Sequence, residues 1–121
     1  MKVYNFADHN SIVNQYMAEL RDVDIQRDML RFRRNLERIG EIMAYEISRE
    51  VSYREAPVRT PLGTARCRLL DDRLVLATIF RAGLPFHQGF LNIFDHAQNA
   101  FVSAYRKYTD DDNFDVFIEY I

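Results

Sequence analysis

Arg81 closes the stretch Leu74-Val75-Leu76-Ala77-Thr78-Ile79-Phe80, which is almost wholly apolar, and is followed by Ala82 and Gly83. A guanidinium at the end of such a run needs a partner or water, because an unpaired buried charge is costly. A second apolar run, Ala100 to Tyr105, ends in Arg106 and Lys107. Arg offers a planar fork of donors that matches phosphate oxygens, so two of them brought together suit a polyanion. Gly83 would let backbone approach a ligand closely. Leu84-Pro85 can open a helix, whose first N–H groups and dipole favour an anion. The plainer alternative is that each arginine caps its strand and points to solvent, and the repetition at two strand ends weighs against it.

The elements that must position these residues follow from periodicity. Leu74 to Phe80 suits a strand covered on both faces, as in a parallel sheet. The helix after Gly83 would bury Phe86, Phe90, Leu91 and Phe94 and show His87, Gln88, Asn92 and Asp95 elsewhere. Strand, helix and strand over 73–108 make one βαβ unit, and ligands bind outside the carboxyl ends of such strands, where Arg81 and Arg106 would share a crevice. Upstream, Ile25, Met29, Phe32, Leu36, Ile39, Met43 and Ile47 recur every three or four positions, which predicts a long amphipathic helix over 24–50. Residues 1–23 read as an arm with a short helix after Asn10-Ser11. Proline and glycine at Ala56-Pro57 and Thr60-Pro61-Leu62-Gly63 predict a loop or hairpin over 51–72. The tail 109–121 holds a solvated turn at Asp110-Asp111-Asp112-Asn113 and a partly alternating strand, which reads as cut off within an element.

Composition narrows the function classes. A chain of 121 residues, 48% hydrophobic, is expected to form a single unit, here an incomplete one. A net charge of -2 supplies no basic field for coating nucleic acid. The lone Cys67 builds no intrachain disulfide, and no apolar stretch approaches bilayer length, so the expected place is the cytoplasm with no membrane contact. His9, His87 and His96 lack metal-ligand spacing, and no metal site is expected from the residues themselves. Aromatics such as Tyr45, Tyr53, Phe90, Phe94 and Phe101 read as core or dimer-interface groups.

Several of these stretches resemble one family. Phe80-Arg81-Ala82-Gly83-Leu84, Gly89, Ala104-Tyr105-Arg106, LRFRRNLERIGEIMAYEI from Leu30 to Ile47, and Thr60-Pro61-Leu62-Gly63 are similar, in order and spacing, to uracil phosphoribosyltransferases. The resemblance covers nearly the whole chain. It implies an α/β chain with a partial type I phosphoribosyltransferase-like fold: N-terminal helices, a βαβ unit with parallel strands, and a terminal flap strand. It implies a pentosyltransferase of pyrimidine salvage, in which uracil attacks the anomeric carbon of phosphoribosyl pyrophosphate to give UMP and pyrophosphate, usually with Mg²⁺. Arg81 and Arg106 match family positions that contact phosphoribosyl pyrophosphate, with Ala82 and Gly83 in support. Known members form dimers.

The family's later phosphate-gripping loop and its glycine-rich uracil segment have no counterpart here. These 121 residues alone are therefore expected to be inactive, with the catalytic residues elsewhere. Arg27, Arg31, Arg34 and Arg38 recur at four, three and four residues. Such a stripe is usually a solvated face; the resemblance offers a regulatory GTP site at Arg31, Arg34 and Arg38 instead. Two other classes stay open: a non-catalytic nucleotide-binding regulatory module that kept the arginine crevice, and a helical interaction domain built on 24–50.

Overall fold

Asp28 decides where the long helix begins. Its carboxylate accepts the Arg31 backbone N–H at 3.0 Å, a capping bond that satisfies one of the first-turn donors. Residues Ile25–Arg27, expected as the first turn of that helix, instead form a separate 3-10 turn. In the computed structural model, which describes residues 1–108 and 114–120, the elements run α1 (Val13–Arg21), α2 (Met29–Ser48), β1 (Tyr53–Thr60), β2 (Gly63–Leu70), β3 (Val75–Phe80), α3 (Leu84–Ile93), β4 (Gln98–Tyr108) and β5 (Phe114–Tyr120). The Asp110-Asp111-Asp112-Asn113 run lies outside the described residues. No helix among the described residues is long and apolar enough to cross a membrane.

The buried stripe of α2 differs from the apolar one. Asn35, Ile39, Gly40 and Ala44 are buried, whereas Met29, Phe32 and Ile47 are exposed. The cause is the crossing with α3, where helix backbones touch. A Cβ on Gly40 would stand 2.5 Å from the Phe86 carbonyl oxygen, and one on Gly89 would stand 2.8 Å from the Glu41 nitrogen and 2.9 Å from Gly40 Cα. Only small residues allow that approach, so they take the inner face and displace larger ones. At the rim, Asn92 Nδ2 donates to Glu37 Oε1 at 2.8 Å and Glu41 Oε1 at 2.7 Å.

On the other side, α1 supplies Glu19, whose Oε2 accepts from the fully buried Asn35 Nδ2 at 2.7 Å. Asn35 Oδ1 accepts in turn from Arg38 at 3.3 Å. The amide is satisfied at both ends, as a buried polar group must be. The Asn35 bond, with help from Gln15 and Arg31, holds the Glu19 carboxyl below the ordinary range.

The chain then turns through a two-stranded hairpin, β1 on β2, whose tight end needs Gly63 at φ 134. Its root is tied down by Ser52 N–H donating to Asp72 at 2.7 Å and by Tyr53 OH donating to the Ser48 carbonyl at 2.7 Å. The expected βαβ unit follows. β3 pairs in parallel with β4, from Val75 opposite Gln98 to Phe80 opposite Ser103, and α3 makes the crossover. β5 pairs antiparallel with β4 on the far edge, giving the order β3-β4-β5.

Two expectations fail in this region. β3 is not covered on both faces: its exposure alternates, with Val75 59% and Ile79 60% exposed. α3 covers one face only, and the described residues supply no second layer. His87, expected away from the core, is buried with its Nε2 2.7 Å from Asn99 Oδ1 and its ring against Phe101. An imidazole with a polar partner at hand can be buried where one without would not be. Phe101 also stacks on Phe80 at 4.9 Å, which ties β3 to β4.

Candidate functional site

The site grows out of the carboxyl end of β3. The strand stops at Phe80, where its parallel ladder with β4 ends, and Arg81-Ala82-Gly83 carry the chain over to α3. The Phe80–Arg81 peptide is cis. Gly83 N–H reaches back to the Ile79 carbonyl at 3.3 Å, Leu84 N–H to the Arg81 carbonyl at 3.1 Å, and the Gly83 carbonyl accepts from His87 N–H at 2.9 Å. Pro85 sits in the first turn of α3, where its missing N–H costs nothing.

The Arg81 side chain is exposed, and no group among the described residues bonds or pairs with its guanidinium. The described residues thus supply no internal partner for the guanidinium at the end of the apolar run. Beside it lies the positive end of the α3 dipole, although Leu84 N–H is taken by the Arg81 carbonyl, His87 N–H by the Gly83 carbonyl, and Pro85 has none. An open hollow of about 500 Å³ adjoins the turn, walled by Ile79, Phe80, Ala82, Gly83, Phe86 and Val102.

Arg106 does not end its strand. β4 continues to Tyr108, and Arg106 lies opposite Val116 of β5. The strand outruns β3 because β5 goes on pairing with it after β3 has turned away. Arg106 is three residues beyond Ser103, about 10 Å further along the strand. Arg81 thus follows directly on the end of the parallel pair, whereas Arg106 lies beyond it on the part of β4 paired with β5. Lys107 stands over the Phe117 ring at 5.3 Å, a cation–π contact.

Gly83 packs against β3. Gly83 has an ordinary helical φ of -73, so conformation does not demand glycine there. Space does: a Cβ would run into Thr78 Oγ1 and would lie 2.8 Å from the Ile79 carbonyl oxygen. The close approach is to β3 itself. Sequence reasoning missed Thr78, and its only signal is a lone hydroxyl within an apolar strand.

The arginine stripe on α2 is paired. Arg31 lies 3.4 Å from Glu19 and 3.8 Å from Asp28, and Arg34 lies 3.0 Å from Glu37. Arg38 donates to Asn35 and faces the Tyr16 ring at 5.3 Å. For Mg²⁺, the described residues contain no group of three or more His, Cys, Asp or Glu side chains able to hold a metal. They do not by themselves form a cage for it.

A parallel strand pair joined by a crossover helix, with Arg81 at its carboxyl end, makes an α/β unit of the phosphoribosyltransferase-like kind. The family model for uracil phosphoribosyltransferase matches residues 7–117, and the chain belongs to that family. The uracil phosphoribosyltransferase of Porphyromonas gingivalis is 59% identical over 121 residues, all of this chain and 56% of that protein. The one from Methanothermobacter thermautotrophicus is 40% identical over 114 residues, 93% of this chain and 51% of its own. Among solved structures, the AQ2163 protein from Aquifex aeolicus matches with a TM-score of 0.66 at 26% identity, covering 89% of this chain and 48% of that one. The chain spans about half the length of the curated relatives it matches.

Proposed function

We propose that this chain carries the phosphoribosyl-pyrophosphate-binding arginines of a uracil phosphoribosyltransferase, which joins uracil to the ribose carbon and releases pyrophosphate. The observation that supports this most is Arg81: exposed and unpaired among the described residues, at the carboxyl end of the parallel strands and beside the start of α3. As the bond to pyrophosphate breaks, negative charge grows on the departing oxygens. A guanidinium placed beside those oxygens stabilises that charge electrostatically. Arg106, further along β4, would hold the same polyanion from a second point. Mg²⁺ enters this reading through the family alone; such a hard cation is commonly held through substrate phosphates with one or two carboxylates.

A homodimer, cytoplasmic location and a place in pyrimidine salvage complete the reading. GTP regulation at Arg31, Arg34 and Arg38 is its most demanding part, since a nucleotide would have to displace the exposed pairs with Glu19, Asp28 and Glu37. Such pairs are weak, so displacement is feasible. The test is uracil-dependent pyrophosphate release from phosphoribosyl pyrophosphate, using the protein expressed from its own gene. Turnover that Arg81→Ala lowers is expected. Binding of phosphoribosyl pyrophosphate without turnover would favour a non-catalytic nucleotide-binding module.

A further inference from the structure

We propose that Gly83 is a positioning residue for Arg81, and that the surface of β3 formed by Thr78 Oγ1 and the Ile79 carbonyl is the seat that fixes the turn. The inference rests on the reading of Arg81 as a phosphate contact. Gly83 is bound on both sides: its N–H goes back to Ile79 of β3 at 3.3 Å, and its carbonyl takes the His87 N–H of α3 at 2.9 Å. Arg81 stands inside that closed loop, two residues before the joint.

The seat is filled. A Cβ at position 83 would collide with Thr78 Oγ1 and stand 2.8 Å from the Ile79 carbonyl oxygen, a distance at which something must shift. Thr78 Oγ1 could turn away, but the Ile79 oxygen is backbone of β3, a strand held in register against β4, and cannot yield cheaply. The turn must move instead, and Arg81 moves with it. Since φ at Gly83 is -73, alanine fits the backbone conformation, and the effect is purely one of displacement. A misplacement of about 1 Å at a group that aligns a reacting substrate can cost about a hundredfold in rate.

The experiment is a double-mutant cycle in the protein expressed from its own gene, reading both the dissociation constant for phosphoribosyl pyrophosphate and turnover. Gly83→Ala alone is expected to weaken both by about ten- to a hundredfold. Added to Arg81→Ala it should change little more, because both substitutions remove the same contact. Thr78→Ala should recover part of the loss by clearing half of the seat. If Arg81→Ala is harmful while Gly83→Ala is silent or multiplies its effect in full, the positioning role is wrong and the reading of Arg81 stands. If Arg81→Ala is silent, the phosphate contact and the inference fall together.

Discussion

The α2–α3 crossing and the β3–β4–β5 sheet make opposite use of their sequences. The sheet contains the longest apolar run in the chain, yet Val75 and Ile79 are 59% and 60% exposed. The crossing is interrupted by Asn, Glu and Gly, yet Asn35 is wholly buried and Ile39 nearly so. Burial here follows what lies opposite. α3 supplies a glycine for Gly40 to meet, and α1 supplies a carboxylate for Asn35, while nothing described lies over the outer face of β3. The closed region holds the fold, and the open end of the sheet leaves the Arg81 guanidinium without a partner among the described residues.

The largest expected effect would break the closed side. At Gly89 the atoms a methyl would meet are all backbone, of Glu37, Gly40 and Glu41. Gly89→Ala should therefore overpack the crossing and cost about 2 kcal/mol or more. Thermal denaturation should show a fall of about 10 °C in Tm.

Next comes the buried amide. Asn35→Ala would strand the group that Glu19 and Arg38 bond to, at a cost of about 1 to 3 kcal/mol, readable from the midpoint of urea unfolding. The same contact has a pH signature. Because the folded Glu19 carboxyl titrates below the ordinary 4.5, its contribution is complete above that value and is lost as pH falls through the folded value. Unfolding followed from neutral pH to below 4.5 should lose stability more steeply in the native protein than in Glu19→Gln.

The smallest effect is expected on the open side. Ile79→Thr in this 121-residue chain should change stability by no more than about 0.5 kcal/mol. A large loss in the same urea titration would mean that the outer face of β3 is covered.

The sequence carried much of this contrast, but only where a local rule decided the outcome. The βαβ unit was legible because apolar runs of strand length flank a proline-opened helix, and local periodicity suffices for that. The helix face was not. Phe32 and Asn35 lie at neighbouring helical positions, and only the tertiary meeting with Gly89 and Glu19 decides which turns inward. Arg81 could be singled out because a charge after seven nearly apolar residues is conspicuous. Arg106 was found the same way, yet its place within β4 depends on pairing with β5, a long-range fact. Thr78 was missed because a steric seat between residues five apart leaves no periodic trace.

The most direct test of the central claim is calorimetric titration of phosphoribosyl pyrophosphate into the native protein and into Arg81→Ala, each expressed from its own gene. A charge-assisted contact is worth about 1.5 to 3 kcal/mol, so the substitution should weaken binding by about 10- to 100-fold while leaving the melting temperature unchanged. Equal affinity in the two proteins would contradict the account and leave Arg81 as the solvated end of a strand.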